Sequence, residues 1–140
     1  MSRDWTRDIE DMHAKFGVND WVEQKVKEKD WEMLREFLSF RMKFLDEELN
    51  ETKKAVAELD AEEIVDGLID LCVVAIGTLD AFGINVAQAW SEVHDANMSK
   101  TRGIKPSRPN PFGMPDLIKP EGWHGPCHNH NHGVLSLLND

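Results

Sequence analysis

An apolar helix with acid in its interior is the feature that most limits what this chain can become. Between Asp60 and Phe82 the sequence reads as one helix. Ile64, Val65, Leu68, Ile69, Leu71, Cys72, Val73, Val74, Ala75 and Ile76 leave it almost no polar face. That pattern predicts a helix buried on most sides. Asp66 and Asp70 nevertheless sit inside it, one turn apart on one face, with Glu63 a turn earlier on the same side. A buried carboxylate costs roughly several kcal/mol unless it is paired, hydrogen-bonded or metal-bound. Two in line also repel each other, so the pattern demands something cationic opposite them.

Three other helices frame this one. Trp5, Ile9, Met12 and Phe16 recur at helical spacing until Gly17 stops the run. Asp30 caps a long helix from Trp31 to about Leu59, with an apolar face of Trp31, Leu34, Leu38, Met42, Leu45, Leu49 and Val56. Residues 21–29 offer a short helix before it. Asp60 and Glu63 have capping-box spacing at the start of the acidic apolar helix, and Gly83 suits its end. Asn85 caps a fourth helix reaching about Lys100. No strand and no internal repeat is evident. All six prolines, Pro106, Pro109, Pro111, Pro115, Pro120 and Pro126, follow Lys100, and they forbid a long helix there. Phe112, Met114, Leu117, Ile118 and Trp123 give this stretch apolar anchors. The expected architecture is all-α: a four-helix-bundle-like domain over residues 1–100, then an extended Pro-rich arm, 101–140, laid on the helices or on a neighbouring subunit.

The group facing Asp66 and Asp70 is expected on the long helix. Glu47, Glu48 and Glu51 crowd the run Asp46 to Glu51, and Glu48 and Glu51 share a flank that also carries Phe44 and Ala55. Antiparallel packing across the short link at Asp60 would bring these glutamates level with Asp66 and Asp70. Four or five carboxylates with few cations suit a hard divalent ion, Mg²⁺ or Mn²⁺, held together with substrate phosphates. The plain alternatives are solvated glutamates paired with Lys53 and Lys54, and an Asp–Arg pair through Arg35 or Arg41. On the fourth helix, Val86, Trp90 and Val93 mark an inner face that continues through Asn97 and Lys100. An amide there can hydrogen-bond a sugar or base, and an ammonium can meet phosphate. A lysine near a helix C-terminus is also favourable by itself.

Charge sorts the partners. With 26 Asp and Glu against 16 Lys and Arg, the net charge is -10, which argues against a nucleic-acid or membrane-surface protein. No apolar run has the length of a membrane span, and Met1 to Asp8 has no signal-peptide core. Cys72 and Cys127 are the two cysteines, too few for a disulfide framework, so a cytoplasmic location is the default. His124, Cys127, His128, His130 and His132 cluster near the C-terminus. They could hold Zn²⁺, although their spacing matches no standard zinc motif, and a polar tail with weak metal affinity is the alternative.

Taken jointly, these pieces resemble the all-alpha nucleoside triphosphate pyrophosphatase superfamily. Its members include MazG, dimeric dUTPases and phosphoribosyl-ATP pyrophosphohydrolase. Leu45 to Glu51, Asp70 to Gly77 with Gly83-Ile84, Glu92 to Lys100, and Lys119-Pro-Glu-Gly-Trp123 are similar to the MazG-like branch with a dUTPase-like core. The resemblance implies Mg²⁺-dependent hydrolysis of a (deoxy)nucleoside triphosphate to monophosphate and pyrophosphate. It implies Glu47, Glu48, Glu51 and Asp70 as catalytic residues, with metal held by Glu48, Glu51 and Asp70 and Glu47 as ligand or base. Asn97, Lys100, Lys119 and Trp123 would hold the nucleotide, and the chain would form a homodimer or homotetramer. A phosphoribosyl-ATP substrate ranks below dNTPs in this reading. One departure stands out. The superfamily's Glu-x-x-Asp would place its glutamate at Gly67, and either Asp66 takes over or the short form Glu63-x-x-Asp66 is the motif. Asp66 with Asp70 keeps both on one face, so Asp66 joins the expected metal ligands. A non-catalytic helical module that binds a nucleotide or a protein is the competing function.

Overall fold

The computed structural model describes residues 2–107 and 112–139; Pro109 and Pro111 of the expected arm lie outside them. Five α-helices occur: α1 (Trp5–Phe16), α2 (Val18–Glu28), α3 (Trp31–Glu58), α4 (Ala61–Ala81) and α5 (Val86–Met98). The starts follow from local chemistry. Asp4, Asp30 and Asp60 each accept hydrogen bonds from backbone N–H groups of the first turn, satisfying donors that a helix start leaves open. The short helix expected over residues 21–29 is longer and begins at Val18, directly after Gly17 at φ 76°. Only Leu59 and Asp60 separate α3 from α4. A link that short makes the two helices antiparallel neighbours.

The chain forms two compact units. The first comprises Met1–Val86 with Asn131–Asp140. In it α4 packs chiefly on α3 and α1. Leu34 and Phe82 are completely buried, and Phe37 stacks between Trp21 and Phe82 at 5.1 and 5.8 Å. The segment from Asn131 closes on this core. The Asn131 side chain bonds both the N–H and the C=O of Asn85. The Val134 N–H reaches the Phe82 carbonyl at 2.7 Å, and Arg35 donates to the Leu138 carbonyl at 2.7 Å. A 3₁₀ helix, Gly133–Leu137, ends the described chain there. Part of the expected arm is thus core-anchored.

The second unit is Ala87–His130. It holds nearly all of α5 and, against the expectation of no strand, a two-stranded antiparallel hairpin. Strand β1 (Thr101–Gly103) pairs with β2 (Asp116–Ile118), Arg102 opposite Leu117. Three-residue strands are too short for an alternating pattern to stand out in sequence.

Three expected faces are corrected. Helix α4 is not buried on most sides: Val65, Leu68 and Ile69 are 64%, 52% and 45% exposed. Its neighbours α1 and α3 cover one side only. On α3 the inward positions are Leu34, Thr52 and Ala55, whereas Met42, Leu49 and Val56, assigned to the core, are 44%, 40% and 51% exposed. On α5, Val86 and Ala96 are buried, but Trp90 is exposed and so is Val93.

A carboxylate cluster as candidate active site

The α3–α4 hairpin brings the predicted acids together. Glu48 has its pKa raised, first by desolvation and then by the charges of Asp70, Glu51, Asp66 and Glu47. Asp70 is raised likewise, by desolvation, by the charge of Asp66, by a hydrogen bond shared with Asp66, and by Glu51. Five carboxylates from two helices therefore feel one another, and every electrostatic neighbour that shifts Glu48 or Asp70 is another acid. None of the ion pairs among the described residues includes them. Glu63 does not act on either group, whereas Asp66 acts on both. Asp66 shares a side-chain hydrogen bond with Asp70.

The reason expected for the cluster changes. Asp66 is exposed and Asp70 and Glu48 are half-buried, so the burial is partial; desolvation still comes first and the charges of the neighbouring acids add to it. The arginine alternatives also fail. Arg41 donates to Thr78 Oγ1 and the Val74 carbonyl, and Arg35 to Leu138. Neither meets Asp66 or Asp70. Oxygen-only donors with surplus negative charge fit a hard divalent cation. Among the described residues no group of three or more His, Cys, Asp or Glu side chains converges in metal-ligating geometry. Asp66 and Asp70 share a hydrogen bond.

In the second unit, Trp123 organises the predicted nucleotide residues. Its Nε1–H donates to the Ala96 carbonyl and to Ser99 Oγ, both at 2.9 Å. The ammonium groups of Lys100 and Lys119 lie 5.3 and 5.1 Å from its ring centroids, within cation–π range. Two lysines nineteen residues apart in sequence are thereby gathered on one ring. Asn97 is exposed on the same helix as Ala96. Ala87–His130 carries five Lys and Arg against four Asp and Glu, so the net negative charge of the chain lies outside it. The His and Cys cluster is not assembled into a ligand set. Cys127 is exposed, and its backbone N–H donates to Glu92. His132 is not in this unit but precedes the 3₁₀ helix.

Thr52 was not singled out by the sequence reading, and neither was the packing role of Gly67. Thr52 is 5% exposed and its hydroxyl donates to the Glu48 carbonyl at 2.7 Å. Gly67 is buried against it. A glycine inside a helix costs about 1 kcal/mol relative to Ala, which was the available signal. Its position is one of close helix contact.

An antiparallel helical hairpin that presents carboxylates from both arms defines the class: the all-alpha nucleoside triphosphate pyrophosphatases, enzymes that cleave phosphoanhydrides. Within it, the chain belongs to the phosphoribosyl-ATP pyrophosphohydrolase family, whose profile matches residues 17–97. The match spans α2 to α5 and so includes all five acids; it excludes the hairpin and the C-terminal segment. Among curated proteins no sequence matches the chain. No single helix among the described residues is long and apolar enough to cross a membrane.

Proposed function

We propose that this chain is a Mg²⁺-dependent pyrophosphohydrolase acting on nucleoside triphosphates or on a nucleotide that keeps the triphosphate chain. The observation that carries the reading is the all-acid neighbourhood of Glu48 and Asp70. Glu48, Glu51, Asp66 and Asp70 would hold Mg²⁺, with Mn²⁺ as a substitute. Bound there, the ion supplies positive charge to phosphate oxygens and Lewis acidity at the reacting phosphorus. The protein's own part is positioning. Glu47 orients a water and takes its proton. The water oxygen bonds to the α phosphorus, the bond from that phosphorus to the bridging oxygen breaks, and its electron pair leaves with pyrophosphate. Lys100 and Lys119, both beside the Trp123 ring, offer two ammonium groups for phosphate oxygens. Asn97 offers an amide to the sugar or base.

Substrate identity has two candidates. The family match favours a phosphoribosyl-ATP-type substrate. The likeness of Asn97 to Lys100 and of Lys119 to Trp123 to the MazG-like branch favours dNTPs. A substrate panel at fixed Mg²⁺, with phosphate products identified, separates them. Pyrophosphate is expected from one class, and Glu48→Ala or Asp70→Ala is expected to lower turnover at least about a hundredfold while helicity is kept. Orthophosphate as the primary product, or full activity in either variant, would overturn the assignment. A homodimer or homotetramer is part of the proposal. Val65, Leu68 and Ile69 on α4, and Met42, Leu49 and Val56 at seven-residue intervals on α3, form exposed apolar rows of the kind that a second helical hairpin covers.

A further inference from the structure

Two glycines of α4 meet side chains of α3 with no room for a Cβ, and Asp70 lies between them. At Gly67, an added Cβ would overlap Thr52 Oγ1 and lie 3.2 Å from Thr52 Cβ. At Gly77, it would lie 2.6 Å from Arg41 Nη2 and 3.2 Å from His13 Nε2. Gly67 and Gly77 are ten residues apart on α4, Arg41 and Thr52 eleven apart on α3. Glu48 lies between Arg41 and Thr52, and Asp70 between Gly67 and Gly77. Each contact is tied by hydrogen bonds. Thr52 is fastened to the carbonyl of Glu48 itself at 2.7 Å. Arg41 spans to α4 through Thr78 Oγ1 at 3.0 Å and the Val74 carbonyl at 2.9 Å. His13, which meets the same face of Gly77, is held by Asp80 at 2.8 Å.

We infer that Thr52 against Gly67 and Arg41 against Gly77 form a register lock that sets the spacing of the carboxylates, making Thr52 and Arg41 positioning residues for the cation site. The inference rests on the proposed Mg²⁺-dependent reading. Like charges on facing helices push those helices apart, and side-chain flexibility alone would let the acids splay. Two contacts with no room for a methyl group, one on each side of Glu48 and Asp70, fix both the helix separation and the sliding register. A donor set held near its bound geometry loses less on binding a cation. The two ends differ in stiffness. Thr52 is short and buried and cannot retreat. Arg41 meets Gly77 through the tip of a long side chain and can swing aside, at the cost of its bonds to α4.

The test uses Mn²⁺ as the metal probe on the full-length chain, with affinity read by titration, kcat and KM read separately, and helicity by circular dichroism. Gly67→Ala is expected to weaken Mn²⁺ binding by about tenfold or more and to lower kcat more than it raises KM. Thr52→Ala removes the overlapping hydroxyl, so Thr52→Ala with Gly67→Ala is expected to recover most of the affinity. Gly77→Ala and Arg41→Lys are expected to have smaller effects in the same direction. Should Gly67→Ala fail to fold, the double variant still decides the matter by whether it binds as wild type does. Wild-type affinity in a folded Gly67→Ala protein, or no recovery in the double variant, overturns the lock. Absence of Mn²⁺ binding and of turnover in the wild-type protein would instead overturn the reading on which it rests.

Discussion

The two halves of α4 belong to one helix but are not in the same state of completion. In the second half, Val74, Gly77, Thr78 and Ala81, followed by Phe82, are buried, and the polar groups among them are bonded. In the first half, Val65, Leu68 and Ile69 face outward and Asp66 and Asp70 face other acids. Between them Ile69, Cys72, Val73 and Ile76 line a cavity of about 200 Å³ open against Trp5 and Ile9. A folded chain tolerates unfavourable surface where something else is due to arrive. The second half needs nothing more, and the first half has unmet charge and uncovered apolar area. The buried packing is in one half and the unmet carboxylates are in the other.

The largest effect expected from that division is in the finished half. Phe82→Ala removes a ring that is fully buried beside Phe37 and is expected to cost about 3–5 kcal/mol, as such cavities do. Chemical denaturation measures it. The comparison would break if a residue of the first half, such as Leu68→Ala, cost as much in the isolated chain.

Much of this contrast was legible in the sequence, but its cause was not. Capping residues and the two-residue link give α3 and α4 and their antiparallel pairing, and with that the meeting of Glu48 with Asp70. Periodicity misled where it was asked for burial. A run such as Ile64 to Ile76 reads as core whether its cover is the same chain or another. Trp90 was taken for an inner residue for the same reason. The hairpin of β1 and β2 was missed because three residues carry no period. Gly67 was seen as the gap left by a glutamate, although its meaning depends on Thr52, a residue fifteen positions away whose approach no local pattern encodes.

The unmet charge predicts a pH dependence of definite sign. The carboxyls of Glu48 and Asp70 have pKa values raised above the ordinary range. The folded state therefore binds more protons than the unfolded state across the interval from the ordinary carboxylate value to the raised one. Stability falls as pH rises through that interval. Glu48→Gln and Asp70→Asn remove one repelling charge each. Both are expected to melt above the wild-type temperature at neutral pH without divalent cation, with the advantage shrinking as pH is lowered. Adding Mg²⁺ should raise the wild-type midpoint more than that of either variant, since only the intact cluster gains the full binding energy. Thermal melts at two pH values, with and without Mg²⁺, check all three statements. A variant less stable than wild type under metal-free neutral conditions would mean that the cluster is not under repulsion.

The smallest expected effect on the isolated chain concerns the outward apolar residues of the first half. Leu68→Ser and Val65→Ser alter side chains that are 52% and 64% exposed, and substitutions on such a surface stay within about 0.5 kcal/mol when nothing covers it. If a second copy covers these residues, the change acts on association instead. Each buried aliphatic side chain contributes roughly 1.5–3 kcal/mol, and a symmetric contact counts every substitution twice. The two cases separate by concentration. A Leu68→Ser protein with an unchanged melt at high dilution, but a smaller mass than wild type in sedimentation at high concentration, assigns the first half of α4 to an interface between copies. Unchanged mass with unchanged stability would leave these apolar side chains as plain surface, and the unfinished character of this half would then rest on its carboxylates alone.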